Sequence, residues 1–277
     1  MDLSGKTAAI TGAAGGFGRE FALACAAAGM NLVLGDVDDK GLAATAEAVA
    51  ALGARVATRR CDVSKAEEVE ALAALADERF GGVQVVFNNA GVAAAGPAWM
   101  ATLDDWKWVL DVNLMGVVHG IRAFVPRMIA KGEPARVVNT ASIAGLVSPP
   151  GLAVYAASKH AVVALSESLA HDLAMAGAPV GVTVLCPGYV KTGIALSYRN
   201  RPKELAEWNP LAPTYGAKIA EVVAASKISA AEVAAATLAA IREGRFYVLT
   251  HPESEANVRA RLEGIVEGIA PAMPTIG

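Results

Sequence analysis

A tyrosine and a lysine stand one helical turn apart in the segment YAASK, at Tyr155 and Lys159. At this spacing on a helix the two side chains share a face, and the small residues between them let another surface approach closely. A phenol can take up or deliver the proton that accompanies hydride transfer at an alcohol or ketone. Because a free phenol has a pKa of about 10, we expect the Lys159 ammonium group to favour the phenolate. The pair predicts acid–base catalysis beside a redox cofactor.

A glycine-rich turn near the N terminus predicts where that cofactor binds. The apolar run TAAIT leads directly into TGAAGGFGRE, with Gly12, Gly16 and Gly18 at the bend and a helix expected from about Phe17. Glycines at a strand-to-helix turn let a pyrophosphate approach the main chain at the positive end of the helix. Asp36 closes the next apolar run about 20 residues further on, where it can bind the ribose hydroxyls of an adenosine. The turn therefore predicts a dinucleotide site.

The charge around Asp36 predicts which dinucleotide binds. A carboxylate at this point repels the 2′-phosphate of NADP. No basic residue compensates, since Ala14 stands in the loop and Val37 follows the acid. Arg59 and Arg60, near the end of the third apolar run, are the residues that could reach the adenosine instead. We expect NAD to be the cofactor.

Short apolar runs alternate with longer segments of helical periodicity along the chain. The runs are rich in valine, isoleucine and leucine, as buried strands are, and they read TAAIT, NLVLGD, RVATRRC, QVVFNN, RVVNTAS, VGVTVLC and RFYVLT. The predicted helices cover Arg19 to Ala28, Gly41 to Leu52, Glu67 to Phe80, Leu103 to Ile129, Tyr155 to Ala176 and Ala230 to Arg242. Such alternation favours right-handed crossovers and a parallel sheet. The sequence predicts an α/β fold, a single doubly wound Rossmann-type domain over residues 1–277 with a parallel sheet of about seven strands and helices on both faces.

One region interrupts this alternation, from about residue 191 to residue 226. It contains three prolines and three aromatic residues, namely Pro202, Pro210, Pro213, Tyr198, Trp208 and Tyr215. A long irregular segment inside a compact domain usually serves as a lid or binding loop. We expect residues 191–226 to form the substrate-binding loop.

The glycine spacing is TGxxxGxG, and with it the chain resembles the classical short-chain dehydrogenase/reductase family. Further motifs of that family follow in the family order: Asp62 and Val63 in CDV, Asn89, Ala90 and Gly91 in NNAG, Asn113, Ser142, Tyr155 and Lys159, Pro187 and Gly188, and Thr192. The glycine turn and the resemblance together imply that the cofactor contacts Gly12, Gly16, Phe17, Gly18, Asp36, Asp62, Val63, Asn89, Ala90, Gly91, Tyr155, Lys159, Pro187, Gly188, Val190 and Thr192.

The resemblance also implies a role for each of four catalytic residues. Tyr155 is the acid and base, and Lys159 binds the nicotinamide ribose hydroxyls as well as supplying charge. Ser142 donates a hydrogen bond to the substrate oxygen. Asn113 holds a water molecule that connects Lys159 to solvent. Ser142 closes a predicted strand and Tyr155 opens a predicted helix, so both can meet at the carboxyl edge of the sheet, where ligands bind.

The expected substrate pocket contains small and apolar residues, namely Ala94, Ile143, Ala144, Leu152 and Tyr189. This composition favours an uncharged, bulky or aromatic secondary alcohol or ketone. The C-terminal segment is similar to that of bacterial dehydrogenases for aryl and other bulky secondary alcohols. Two alternatives remain open: reduction of a 3-oxoacyl thioester or steroid-type ketone by an enzyme of the same family, and a protein that senses NAD(H) without turning it over.

Composition narrows the remaining classes of partner. The net charge of −3 offers no basic surface for nucleic acid, and 54% hydrophobic residues occur without an uncharged run of membrane-spanning length. Cys25, Cys61 and Cys186 are scattered, so neither a disulfide framework nor a metal site is expected. The start of the chain does not resemble a secretory signal, so we expect a cytoplasmic enzyme acting on small molecules. Apolar residues around the helix at 155–176 predict a homo-oligomer, a tetramer or dimer that also uses the helix at 103–129.

Overall fold

A computed structural model describes residues 1–207 and 209–274 of the chain. Seven parallel strands form one sheet in the order β3-β2-β1-β4-β5-β6-β7. The strands are β1 (Thr7–Thr11), β2 (Asn31–Asp36), β3 (Val56–Arg60), β4 (Val85–Asn88), β5 (Ala135–Thr140), β6 (Val180–Cys186) and β7 (Tyr247–Leu249). All seven predicted strands are present. The five inner strands are largely buried on both faces, as parallel strands covered by helices are, whereas the edge strands β3 and β7 are partly exposed.

Helices cover both faces of this sheet. They are α1 (Gly16–Ala27), α2 (Asp39–Ala51), α3 (Ala66–Phe80), α4 (Leu103–Leu110), α5 (Gly116–Lys131), α6 (Ala153–Met175), α7 (Ala212–Ala225), α8 (Ala230–Glu243) and α9 (Pro252–Glu267). Side chains alternate along each strand, so Ile10 packs with Phe21 of α1 in one core while Ala9 packs with Leu72 and Phe124 in the other. The predicted doubly wound α/β fold is confirmed. The expectation of one domain over residues 1–277 stays a prediction, and Trp208 and residues 275–277 lie outside the described residues.

The region from 191 to 226 is more ordered than the sequence indicated. A 3-10 helix occupies Gly193–Asn200 and α7 occupies Ala212–Ala225, so the prediction of a long irregular segment was wrong. The error arose from reading Pro213 as a helix breaker, whereas it lies in the first turn of α7. Proline is compatible with that position because the first-turn N–H groups have no partner within the helix. Helix α9, which also begins with a proline, was not among the predicted helices.

The helix predicted over 103–129 is interrupted by a π-helical turn. Residues Asp111–Met115 form this turn between α4 and α5, and such turns often occur at functional sites. Within the described residues, the helical stretch Leu103–Lys131 is long and apolar enough to span a membrane, with a mean hydropathy of 1.3. Half of its most apolar part, however, is buried inside the fold. Burial of this kind is typical of a core helix in a globular domain.

Candidate active site

A cavity of about 980 Å³ opens at the carboxyl ends of the central strands. The strand order reverses between β1 and β4, which is the switch point where open α/β sheets bind their ligands. Residues from the glycine-rich turn, from the ends of β4, β5 and β6, and from the start of α6 line this cavity. The motifs that are scattered along the sequence therefore meet at one edge of the sheet.

Tyr155 and Lys159 enter the cavity from the first turns of α6. The Lys159 Nζ atom lies 5.6 Å from the centroid of the Tyr155 ring and donates a hydrogen bond of 2.8 Å to the Thr140 carbonyl oxygen. Lys159 is only 3% exposed. The ammonium group is thus held between the end of β5 and the phenol, as their predicted positions required.

The pKa values of this pair differ from the expectation. Burial raises the pKa of Tyr155 to about 12, although a hydrogen bond with Ser142 acts in the opposite direction. Burial also lowers the pKa of Lys159 to about 8. Lys159 was expected to lower the pKa of the phenol, but burial has the larger effect. Both groups lie in a poorly hydrated pocket, where the charged form of each is disfavoured. At neutral pH the phenol carries its proton.

Ser142 follows β5 and lies beside Tyr155 at the cavity wall. Its Oγ atom accepts a hydrogen bond of 3.1 Å from the Ala144 N–H group and lies 3.4 Å from the Pro187 carbonyl oxygen. These contacts fix the hydroxyl between the turn after β5 and the turn after β6. The Ser142 hydroxyl and the Tyr155 phenol can therefore converge on one substrate oxygen.

Asn113 does not line the cavity, although it lies close to Lys159. A Cβ atom added at Gly91 would meet both Asn113 Oδ1 at 3.5 Å and Lys159 Nζ at 3.6 Å. The Asn113 amide accepts a hydrogen bond from Val92 N–H and donates to the Val92 carbonyl and to Ser158 Oγ. This side chain fastens the π-helical turn to the end of β4 and to α6. Its expected contact with a relay water remains a prediction.

The glycine-rich turn has the backbone geometry that a phosphate site needs. Gly12 and Gly16 have φ angles of 69° and 51°, which favour glycine. The N terminus of α1 has neither a side-chain cap nor an acidic residue in its first turn, and Gly15, Gly16 and Phe17 at this end line the cavity. Gly18 does not line the cavity, contrary to the prediction. A Cβ atom at Gly18 would lie 2.0 Å from the Gly12 carbonyl oxygen, so this glycine allows α1 to pack against β1.

Asp36 lies at the far end of the same cavity. Its carboxylate accepts hydrogen bonds from Ala14 N–H (2.8 Å) and Asp38 N–H (2.9 Å). Burial raises the pKa of Asp36, and these amides partly offset that rise. Arg60 also lines the cavity, but it forms an ion pair with Glu68 at 3.9 Å. Arg59 is not among the lining residues.

Most of the other predicted residues line this cavity as well. They are Phe17, Asp62, Val63, Asn89, Ala90, Gly91, Pro187, Gly188, Val190 and Thr192 on the cofactor side, and Ile143, Ala144, Leu152 and Tyr189 on the substrate side. Asn89 connects the ends of two strands, because its Nδ2 donates to the Thr11 carbonyl at 2.9 Å. Ala94 was wrongly assigned to the pocket: it packs into an apolar cluster with Trp108, Val109 and Val154.

The sequence reasoning missed an apolar wall and a polar end of the cavity. Trp108, Val147 and Pro149 contribute to the wall beside Ile219 and Val223 of the expected 191–226 segment, and Glu253, Ser254 and Asn257 of α9 lie at the polar end. Tyr198 and Arg201 hold Trp108 in place, with the Tyr198 ring 5.6 Å from it and the Arg201 guanidinium 5.3 Å above it. The one available sequence signal was the aromatic content of the 191–226 region. These residues come from segments far apart in the chain, so spacing could not group them.

Comparison with known proteins identifies the family. The family model described as short chain dehydrogenase matches residues 6–203 of the chain. The chain belongs to the short-chain dehydrogenase/reductase family. It is therefore an oxidoreductase by family, and the resemblance drawn from its motifs is confirmed. Enzymes of this family act on small molecules.

Several members of the short-chain dehydrogenase/reductase family are similar over nearly the whole chain. A CLA biosynthesis dehydrogenase/reductase of Lactiplantibacillus plantarum is 35% identical, covering 98% of this chain and 96% of the relative. A 1-deoxy-11-beta-hydroxypentalenate dehydrogenase of Streptomyces avermitilis is 38% identical, covering 93% of this chain and 89% of the relative. The crystal structure of a short-chain dehydrogenase/reductase from Burkholderia phymatum in complex with NAD is 48% identical, with a TM-score of 0.97 and 99% of each chain covered.

Proposed function

We propose that the protein transfers a hydride between NAD(H) and a bulky, uncharged secondary alcohol or ketone, with Tyr155 as the acid and base. The observation that carries this proposal is the meeting of Tyr155, Ser142 and Lys159 with the glycine-rich turn and Asp36 in a single cavity. When bound, NAD would supply the site of hydride transfer at its nicotinamide ring. The proton would remain the task of the protein.

The proposed cofactor fits the residues that are present. The uncapped N terminus of α1 and the left-handed glycines offer backbone N–H groups to a pyrophosphate. The Asp36 carboxylate has lone pairs left after accepting two backbone hydrogen bonds, and these can accept from ribose hydroxyls. The related Burkholderia phymatum protein was crystallised with NAD, which supports the same choice here.

Three side chains divide the proton chemistry between them. The phenol of Tyr155, whose pKa burial raises to about 12, is protonated at neutral pH and can donate to a ketone oxygen. Ser142 would donate a second hydrogen bond to that oxygen and hold it against the phenol. Lys159, whose pKa burial lowers to about 8, can exchange a proton near neutral pH. In alcohol oxidation Tyr155 would accept the alcohol proton as the phenolate, so the phenol must first lose its own proton to solvent, with Lys159 as the neighbouring exchanging group.

The substrate class follows from the walls of the cavity. Apolar side chains of Trp108, Leu152, Ile219 and Val223 line one side. The neighbouring cations are already engaged: Lys107 bonds Asp111 at 2.7 Å, Arg201 pairs with buried Asp105, and Arg199 donates to the Gly193 and Leu196 carbonyls. A pocket of this kind favours large uncharged molecules over small hydroxy acids. The relative named for a hydroxypentalenate supports a bulky substrate that carries a hydroxyl group, whereas the absence of charge rests on the cavity walls alone.

A screen of secondary alcohols with NAD⁺, followed at the absorbance of reduced nicotinamide, tests the proposal. We expect turnover with aryl and bulky alicyclic alcohols and its loss in Tyr155→Phe, with the affinity for NADH nearly unchanged. Tyr247→Phe is the matched control, because Tyr247 lies on edge strand β7 and does not line the cavity. Substantial single-turnover activity in Tyr155→Phe would refute the assigned acid and base.

A further inference from the structure

The turn that follows β6 forms part of the cavity floor. Pro187, Gly188 and Tyr189 in this turn all line the cavity. The backbone pairing of β6 with β7 ends at Cys186 and Leu249. Pro187 has no N–H group to continue the ladder. On the β5 side, the Ile143 N–H group donates to the Pro187 carbonyl at 2.8 Å. On the β7 side, another group must hold the turn beyond the end of the sheet.

His251 occupies that position. If the register of β6 and β7 is continued by two residues, His251 falls beside Gly188. The Gly188 N–H group donates to His251 Nδ1 at 3.0 Å, and His251 Nε2 lies 3.0 Å from the Tyr189 carbonyl oxygen. A single imidazole thus bridges two successive backbone units of the turn. It takes the place of the strand residue that the sheet lacks here.

These contacts indicate which nitrogen of the His251 ring carries the proton. Nδ1 must keep its lone pair to accept from Gly188 N–H, so the proton resides on Nε2 and is donated to Tyr189. Thr250 Oγ1 lies 2.9 Å from the same Nδ1 and can donate to it. The His251 ring packs directly on Gly188: a Cβ atom added to Gly188 would lie 2.8 Å from the Cγ atom of His251. The glycine and the imidazole ring therefore fit each other as a pair.

We propose that His251 is a positioning residue of the active site, which holds the 187–189 turn in the conformation that receives the nicotinamide end of the cofactor and the substrate. This inference rests on the proposed function, because the turn is taken as the floor of the NAD site. His251 immediately precedes α9, which supplies Glu253 and Ser254 to the cavity. The same ring thereby joins the C-terminal helix to the catalytic centre.

Three substitutions separate hydrogen bonding from ring packing. His251→Phe keeps a flat ring but loses both hydrogen bonds. His251→Asn places an amide oxygen near the former Nδ1, so the bond from Gly188 can re-form. His251→Gln places an amide nitrogen near the former Nε2, so the bond to Tyr189 can re-form. His171→Asn, on the exposed side of α6 and away from the cavity, is the matched control for loss of a histidine.

The experiment measures three quantities in each variant: deuterium uptake of the 187–193 backbone, the Kd of NADH, and KM and kcat. The probe for KM and kcat is the secondary alcohol that the parent protein oxidises fastest in the screen. In His251→Phe we expect faster uptake in this segment and a Kd and KM raised about tenfold, equivalent to about 1.4 kcal/mol, with the melting temperature close to that of the parent. His251→Asn should recover most of both effects, and His171→Asn should show neither. A role in stability alone would lower the melting temperature and the active fraction without changing KM.

Two results would overturn the inference. The first is parental uptake and KM in His251→Phe, and the second is an Asn variant no better than the Phe variant in both measurements. If His251→Phe does not fold, deuterium uptake and KM are compared between the Asn and Gln variants and the parent. Each of these two variants retains a different one of the two hydrogen bonds, and parental values in both would overturn the inference. If the parent protein does not bind NADH, the proposed function fails, whereas the exchange of residues 187–193 still decides whether His251 holds the turn.

Discussion

Replacing Asp36 should change which nicotinamide dinucleotide the enzyme uses. The carboxylate lies in the cavity with both oxygens already oriented by backbone N–H groups. It can accept hydrogen bonds from the adenosine ribose, but it faces a like charge if the ribose carries a 2′-phosphate. Burial raises the pKa of Asp36, which shows that its charge is poorly hydrated. Repulsion should therefore be stronger here than on an open surface.

The size of the effect follows from the charge and its surroundings. Two unit charges about 4 Å apart interact by about 4 kcal/mol at the effective dielectric constant near a protein surface. Asp36 is partly exposed and the Ala14 and Asp38 amides reduce its field, so we take about half of that value. About 2 kcal/mol corresponds to roughly a thirtyfold preference for NAD⁺ in kcat/KM.

Three variants test this reasoning through kcat/KM for both cofactors. Asp36→Asn removes only the charge and should bring the two values within a few-fold of each other. Asp36→Ala combined with Val37→Arg should reverse the preference, since Val37 also lines the cavity and an arginine there can bind a phosphate. Asp39→Asn is the matched control, because Asp39 carries the same charge on α2 outside the cavity.

The opposite outcome would point to the arginines of β3. A parent enzyme that favours NADP⁺ would refute the role given to Asp36. Arg60 lines the cavity, so Arg60→Gln would then be expected to remove the preference for NADP⁺. The ion pair of Arg60 with Glu68 is the reason that we expect Arg60 to contribute little to phosphate binding.

Four further predictions follow from the same geometry. Lys159→Ala should lower kcat and also raise the Kd of NADH about tenfold or more, unlike Tyr155→Phe; equal Kd values in the two variants would exclude a ribose contact. Because burial raises the pKa of Tyr155 to about 12, kcat/KM for alcohol oxidation should rise with pH through and above neutrality while ketone reduction changes little near pH 7; an oxidation rate that falls with pH would contradict this. Gly18→Ala should lower the free energy of unfolding by about 2 kcal/mol, since its methyl group would overlap the Gly12 carbonyl oxygen, whereas Gly15→Ala, with open space around it, should not; urea unfolding compares them. Light scattering should show a homo-oligomer, and a monomer at micromolar concentration would refute it; Val162, Val163 and Leu169 of α6 are buried within the subunit, so the apolar side chains left exposed on α4, α5 and α6 are Leu103, Ile129 and Met175.

Much of the fold could be predicted because its signals are local. An apolar run such as VGVTVLC is typical of a strand buried on both faces, and in the structure it forms β6 with the predicted bounds. The π-helical turn at Asp111–Met115 could not be predicted, since helical periodicity continues through it. What sets that turn apart in the structure is the bonding of Asn113 to Val92 and Ser158, a contact between distant parts of the chain.

The candidate site shows the same division between what is local and what is not. Spacing was sufficient to place Tyr155 and Lys159 on one face of α6, because four residues on a helix fix that geometry. Spacing could not predict how poorly the pocket is hydrated. The sequence therefore predicted that Lys159 would lower the Tyr155 pKa, whereas burial raises it. A sequence can therefore place two ionisable groups together, while the segments that close over them decide which protonation state dominates.

The same argument explains why Trp108, the α9 residues and His251 were missed, whereas the 191–226 segment that supplies Val223 was expected at the substrate. Trp108 from α4, Val223 from α7 and Asn257 from α9 share one cavity although they are separated by more than a hundred residues or by several elements. No periodicity connects such residues, and only the docking of α7 and α9 over the sheet edge brings them together. His251 acts at that edge because β7 ends beside β6 and leaves Gly188 N–H without a strand partner. Under the proposed function, substrate selection would accordingly depend on the segments whose sequence signals are weakest, whereas hydride and proton chemistry would depend on those whose signals are strongest.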